Sequence, residues 1–451
     1  MAEPSTPPVA KDALGYFRAK KLRPAFDYRD VWRDEHVAAL TVAKVTQADV
    51  LGSISDSLDK ALADGQSFDT WRKQIRPELE KAGWWGKRDV VDEATGEIRT
   101  TEIGAPSRLR KIYETNMRMA RATGQWERMQ RNKRVLPYVL RELGPSAEHR
   151  PEHVAWHGVL LPIDDPWVQS HPCPCGWGCK CGWRQVGRVE YQRLVRDGVP
   201  GPAVQQVNPE TGLPTGHVTR ERVAAKTVAP PIELRPWKNK RTGQTEMVPK
   251  GVDPGFDFNP GAVYRVDQQA RQVARKLPAL PADIGAEVWQ LTEDRVLPVL
   301  RRDFERSLGL SGSPPMADTV GADSPALTIG AVDPALVRKL GELGAAPASA
   351  EIAVERTVAA AARSGTDALS ADELRAVPLA LMQPERVLLD RETGRLIYLF
   401  AAEDAGQVLA VDVELVTELP KSALNLVRSA RRARAADFSS LARFVVLRRA
   451  D

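Results

Sequence analysis

Four cysteines, Cys173, Cys175, Cys179 and Cys181, fall within nine residues, in the run His171-Pro-Cys-Pro-Cys-Gly-Trp-Gly-Cys-Lys-Cys181. Thiolates and imidazoles are the donors zinc prefers, at about 2.0–2.3 Å in a tetrahedron. Two Cys-x-Cys pairs on a glycine-bearing loop offer four sulfurs, and His149, His153, His157 and His171 lie close by in sequence. That is more donors than one tetrahedron needs. The competing reading is a set of reduced, unligated cysteines or an adventitious disulfide. The first residues, Met-Ala-Glu-Pro-Ser-Thr-Pro-Pro, have neither the basic nor the apolar segment of a secretory signal. Clustered cysteines in such a chain are expected to bind metal in a reducing compartment rather than to form a disulfide framework.

Other groups point to other chemistry. Arg428, Arg431, Arg432 and Arg434 make a basic run near the C-terminus that could meet phosphates, or simply face solvent. Arg108, Arg110, Arg118, Arg121 and Arg128 crowd one helix and raise the same pair of readings, a nucleic-acid face or a solvated one. Asp164-Asp165 could be an acid/base or metal pair, but adjacent carboxylates before Pro166 fit a turn or a helix cap better. Phosphate-binding loops, nucleophile elbows and HExxH zinc motifs are absent from the sequence.

These residues must be held by surrounding elements. Helical spacing of apolar residues from Trp32 to Leu62 predicts a helix over 28–63, with Asp27 or Asp30 as cap and Gly65 as stop. A second helix is predicted from Phe68 to Ala82 with Ser67 as N-cap, then a hairpin over 86–104, then a long helix from Pro106 to about Arg134. Residues 135–186 read as strand and loop with a short helix near Pro151–Trp156. The stretch 187–262 is rich in Pro, Gly and polar residues and reads as an extended connector wrapping the surface. Beyond 280, helices are expected over 281–308, 334–343 and 350–363, with a Gly/Ser/Pro linker at 309–325. A β-meander follows over 386–413, then a basic helix over 424–435. Residues 1–10 are proline-rich and expected to be extended or disordered.

The 451 residues favour more than one domain, and 43% apolar with 27% charged residues is ordinary globular composition. A net charge of +5 permits a nucleic-acid neighbour without requiring one. No run of apolar residues is long enough to span a bilayer, so no membrane partner is expected.

Four blocks, taken together and in order, resemble the Mu F-like head morphogenesis family of tailed phages. They are Tyr16-Phe-Arg-Ala-Lys through Phe26-Asp-Tyr-Arg-Asp-Val-Trp-Arg-Asp-Glu-His36; Ile112-Tyr-Glu-Thr-Asn-Met-Arg-Met-Ala120; Arg150-Pro-Glu-His-Val-Ala-Trp-His-Gly158 with Pro162-Ile-Asp-Asp-Pro-Trp167 and Gly176-Trp-Gly-Cys-Lys-Cys181; and Val248-Pro-Lys-Gly-Val-Asp-Pro-Gly-Phe-Asp-Phe-Asn-Pro-Gly261. The resemblance implies a minor head (capsid) protein acting in head morphogenesis at the portal vertex. It implies as partners the portal and the major capsid or scaffold proteins. The implied location is the virion head, and the host cytoplasm during assembly. The family often carries a Cys-x2-Cys pair, a glycine and then His-Pro-x-Cys-x-Cys, a set that suits zinc. The matching positions here are Arg150, His153, Cys179 and Cys181. Arginine cannot ligate zinc, so the implied ligands are His153, Cys179 and Cys181, and either the site is incomplete or Cys175, His157 or His171 fills the fourth place, Cys175 being the first choice.

The C-terminal stretch Ala380-Leu-Met-Gln-Pro-Glu-Arg-Val-Leu-Leu-Asp390 into Gly394-Arg-Leu-Ile-Tyr-Leu-Phe400 resembles barnase/EndoU/colicin/RelE-like nuclease domains attached to such head proteins. That implies a virion-carried ribonuclease or toxin with Arg428, Arg431 and Arg432 at the nucleic acid. No histidine follows His217, and histidine is the usual proton carrier near neutral pH, so no catalytic residue is assigned. A third alternative is a DNA-binding packaging accessory. The fold expected is α+β: a helical N-terminal region and a small metal-clustered head domain over 11–186, an extended connector over 187–279, and a C-terminal α+β module over 280–451.

Overall fold

The computed structural model describes residues 11–449 apart from 93–95, 97, 147, 203, 212, 311–325, 403–405 and 418–423. The expectations for residues 1–10 and for most of the 309–325 linker lie outside the described residues. The fold is α+β, in two compact units, Met1–Arg265 and Val266–Asp451. Among the described residues no helix is long and apolar enough to cross a membrane.

The first unit begins with a helical layer. Helices Lys11–Ala19, Ala48–Ala63, Phe68–Lys81 and Pro106–Asn132 converge on a core that includes Tyr16, Leu51, Ile54, Leu58, Trp71, Leu109 and Met117. The local signals act as expected. The Ser67 side chain accepts from the Thr70 amide, and Pro106 opens the long helix where its missing N–H costs nothing. Gly65, at φ 65°, follows the helix ending at Ala63 in the left-handed region that glycine tolerates best. The hairpin pairs Gly86–Val91 with Ile98–Ile103.

The single helix expected over 28–63 does not form. Asp27 does cap, by a capping box, but only a 3-10 turn over Tyr28–Asp30. Arg33 and Lys44 then adopt positive φ, at 46° and 67°, which a helix cannot contain. Between them Ala39–Leu40 pairs in parallel with Lys21–Leu22. The apolar spacing was real, but Val37, Leu40, Val42 and Val45 reach the core from a one-turn helix over Glu35–Ala38, the strand Ala39–Leu40 and the irregular chain after it.

A three-stranded antiparallel sheet follows, with Tyr138–Glu142 between Leu160–Pro162 and Gly182–Val186. Short helices Pro151–Ala155 and Pro166–Ser170 bracket the strand Leu160–Pro162. Val139, Trp156, Trp167, Trp183, Cys175 and Phe256 share the core on one side of this sheet. The stretch 187–262 is a series of short pieces: a helix over Arg188–Asp197, and hairpins pairing Val204–Val207 with Pro214–Thr219 and Leu234–Lys238 with Thr245–Pro249.

The second unit is built on a seven-stranded sheet. Its order is Ala326–Ala331, Glu351–Glu355, Asn425–Arg434, Gln407–Glu414, Leu396–Ala401, Arg386–Asp390, Phe444–Arg449. Only Glu351–Glu355 against Asn425–Arg434 is parallel. Helices Ala282–Gln290, Glu293–Ser307, Pro334–Glu342 and Ala371–Ala380 contribute Trp289, Phe304, Leu340 and Val377 to the larger core. The meander over 386–413 forms as expected. The basic helix expected over 424–435 is instead the strand Asn425–Arg434, paired antiparallel with Gln407–Glu414. Arginine and alanine favour a helix locally, but a buried ladder on both sides overrides a preference of a few tenths of a kcal/mol per residue. The same competition converts the start of the expected 350–363 helix. Ile352, Ala353 and Val354 are buried in a strand, and helix begins only at Arg356.

Candidate metal centre

The helix Pro151–Ala155 is one turn and a half long, started by Pro151 at its first position, and it carries His153 inward to 4% exposure. The cysteine loop lies between helix Pro166–Ser170 and strand Gly182–Val186, and it closes on this imidazole. Cys181 Sγ is 3.7 Å and Cys179 Sγ 4.0 Å from His153 Nδ1, and Cys175 Sγ is 3.8 Å from Cys179 Sγ. Two sulfurs on one tetrahedral zinc at about 2.3 Å bond length stand roughly 3.8 Å apart. The donor atoms of His153, Cys179 and Cys181 all lie within 4.8 Å of one another.

His153 is oriented for ligation. Its Nε2 faces the Gly251 carbonyl at 2.9 Å, so an Nε2–H donates there and the Nδ1 lone pair faces Cys179 and Cys181. Metal-binding histidines usually donate their second nitrogen to a carbonyl or carboxylate in this way. The ring also stacks on Trp156, centroids 5.2 Å apart. Cys175 Sγ lies 3.3 Å from Nε2. All four cysteines are free thiols. Hydrogen bonds from Cys175 and Cys181 hold the Cys179 thiol far below its ordinary range, making it the first thiolate of the group. Burial pushes Cys173 up to about 12. Cys173 also packs away from the cluster, in a small pocket with Trp126 and Met129.

The alternatives for the fourth place are otherwise engaged. His157 accepts from the Leu143 amide at Nδ1 and faces the Pro200 carbonyl with Nε2 at 2.8 Å. His171 stacks on Trp167 at 4.2 Å with Nδ1 against Ser170 Oγ, and burial lowers it to about 4. Arg150 ties its helix to Asp253 at 2.8 Å. His149 lines a cavity of about 140 Å³ at the mouth of the cluster.

Sequence reasoning missed Arg141. It sits in the central strand on the same face as Val139, 1% exposed, with Nη2 3.2 Å from Cys175 Sγ. The signal was present: a period-two strand Tyr138-Val-Leu-Arg-Glu142 places an arginine on an inward face. Asp165 proves to be a cap, accepting from the Trp167 amide at 2.8 Å, and Asp164 pairs with Lys133.

In the second unit, Arg431 and Arg432 line a polar cavity of about 570 Å³ with Asp390, Asp412 and Arg443; Arg428 is not part of its wall. Each of the three arginines has a carboxylate partner: Arg428 with Glu414, Arg431 with Asp412 at 2.5 Å, and Arg432 with Glu373 at 2.8 Å.

The family described as "Phage Mu protein F like protein" matches residues 52–184, which span most of the helical layer, the three-stranded sheet and all four cysteines. "Putative capsid assembly protein F" of Escherichia phage Mu is 30% identical over 412 residues, covering 89% of this chain and 86% of that protein. "Mu-like prophage FluMu F protein" of Haemophilus influenzae is 35% identical over 147 residues, 32% of this chain and 34% of that protein. No solved structure matches the chain. With an alignment that runs through both compact units and nearly the whole of the phage Mu protein, the chain belongs to the phage Mu F-like family.

Proposed function

We propose that this chain acts in assembling the head of a tailed phage or prophage, as a minor head protein at the portal vertex. The observation that carries the reading is the alignment with the phage Mu protein named for capsid assembly, over 89% of this chain. The ordered blocks over 16–262 support the portal as partner, alongside the major capsid or scaffold proteins. Deletion from the phage genome is expected to yield defective or non-infectious heads, and tagged protein to co-purify with portal rings. Infectious particles produced at normal yield without it would end the proposal.

Within this reading, one zinc ion is held by His153, Cys175, Cys179 and Cys181. Bound there, zinc supplies a crosslink between the helix Pro151–Ala155 and the cysteine loop. The residues fit it: the imidazole and the Cys179 and Cys181 sulfurs converge within 4.8 Å, and the Cys175 sulfur, 3.8 Å from that of Cys179, is the nearest candidate for the fourth place. The centre's role is structural, since four protein ligands leave no open position. Purified, reduced protein should carry about one zinc per chain. Cys181→Ser should release it and lower Tm well beyond a surface serine substitution, because a structural zinc contributes folding energy directly. Metal-free wild-type protein by elemental analysis would remove the zinc reading.

The cavity beside Arg431 and Arg432 favours a second reading for residues 280–451, a nuclease-like module that meets RNA or DNA. Its arginines would have to exchange their carboxylates for phosphates, so binding is expected only at low ionic strength. An RNA titration at low salt that shows no binding disposes of it.

A further inference from the structure

We propose that Arg141 is the built-in counter-ion of the metal centre: its buried guanidinium balances a site of three thiolates and one neutral imidazole, and its hydrogen bond holds Cys175 as the fourth ligand. This rests on the metal reading above and adds to it the charge of the site and a positioning residue.

Arg141 is 1% exposed, and Trp156 and Trp183 lie 5.5 and 5.1 Å from its guanidinium carbon. Such a cation needs a negative partner, because burial strips it of water. Its polar contacts are the carbonyls of His171 and Pro172, at 2.6 and 3.1 Å, and Cys175 Sγ at 3.2 Å. Among the described residues no carboxylate pairs with it. Cys175 is therefore the contact that can carry the balancing negative charge.

Charge matching then selects the ligand set. A divalent metal with four thiolates leaves two net negative charges. With two thiolates and two neutral imidazoles it leaves none. Three thiolates and one imidazole leave one, which one guanidinium cancels. Of the other cations beside the cluster, Arg150 is occupied by Asp253 at 2.8 Å and Lys180 is exposed to solvent. A site completed by His157 or His171 in place of Cys175 would be neutral and would strand the Arg141 charge. A site that also took in Cys173 would exceed the charge available. The geometry agrees with the electrostatics: Arg141 donates to Cys175, the sulfur whose ligand role the family pattern does not supply, and fixes its position by a charge-assisted bond. The two carbonyl bonds anchor the same guanidinium to the start of the loop, so loop and ligand are set together.

The test uses the full chain loaded with cobalt(II) in place of zinc. The intensity of the thiolate-to-cobalt charge-transfer band reports how many sulfurs bind. Wild-type protein is expected to show three, and Cys173→Ser to leave the spectrum unchanged. Arg141→Gln should weaken cobalt and zinc affinity by about 10- to 100-fold in a chelator competition. Arg141→Lys, which keeps the charge, should recover part of that loss. Cys175→His makes the site neutral, so adding Arg141→Gln to it should cost much less than in the wild-type background. A wild-type count of two or four sulfurs overturns the proposal without reference to any variant. So does a folded Arg141→Gln protein with wild-type affinity, although the metal reading then survives. Absence of any cobalt or zinc binding by the wild type overturns the metal reading and this inference with it.

Discussion

Glu351 shows at the level of one residue how burial alone sets a pH dependence. It is 2% exposed, its Oε1 meets Thr328 Oγ1, and its Oε2 has no partner. Burial pushes its carboxyl up to about 7, with the Thr328 hydrogen bond pulling the other way. Below the pKa of an unfolded glutamate, about 4.3, both states are protonated and nothing is lost. As pH rises from there towards 7, the unfolded chain ionises while the folded one keeps its proton. Stability therefore falls through that window and stays low above it. Glu351→Gln is expected to stabilise the fold at about pH 8 by up to an amount on the order of 3 kcal/mol, read as a higher Tm, and to change it little at about pH 4. Thermal melts of both proteins across that range check it; an equal effect at both ends would show that the carboxyl's ionisation is not involved.

Among elements, the tightest join at the metal centre is between the end of the central strand and the cysteine loop. Gly144 lies two residues past Glu142, and a methyl group built on it would overlap the backbone carbonyl of Lys180. Lys180 sits between Cys179 and Cys181, so the strand's exit packs against the backbone that joins two of the proposed ligands. Gly144→Ala must push the loop away, and backbone overlap cannot be relieved by a rotamer change. The expected outcome is a loss of stability of about 1–3 kcal/mol together with weaker zinc retention. An alanine at Gly178, where φ is +74° but no atom lies within 4 Å, is the control: backbone strain without displacement of the ligands. If the Gly178 variant releases zinc more readily than the Gly144 one, the contact at Lys180 is not what holds the loop.

For the whole molecule, the second compact unit should fold by itself, and its true start can be tested. Ala270 and Leu277 precede residue 280 in the chain yet belong to the core of that unit, at 1% and 0% exposure. Asp267 and Arg271 also bond to Arg302 and Asp303 on the helix Glu293–Ser307. A fragment spanning 260–451 is expected to unfold cooperatively. One beginning at 280 should be less stable by at least the ~1.5–3 kcal/mol that burial of one leucine contributes. Chemical denaturation of the two fragments measures the difference. Equal stabilities would mean that the helix Pro260–Lys276 contributes nothing to this core.

Elements whose signals are local were legible in the sequence. Ser67, Pro106 and Gly65 mark helix ends because capping and backbone freedom act within a few residues, and the meander over 386–413 follows from alternation and the turn at Gly394. The sequence by itself also marked the metal-donor candidates, four cysteines within nine residues, and the family, through blocks spread over residues 16–261. Three things were decided by the tertiary structure. Asn425–Arg434 is a strand because Gln407–Glu414 and Glu351–Glu355 flank it, and a composition of arginine and alanine says nothing about partners tens of residues away. Cys175 joins His153, while His157 and His171 turn to the Leu143 amide, the Pro200 carbonyl and the Trp167 ring, because spacing cannot tell which of several nearby donors a fold points inward. Arg141 reaches the cluster from a strand thirty-four positions before Cys175, by a contact that exists only once the sheet and the loop have closed around it.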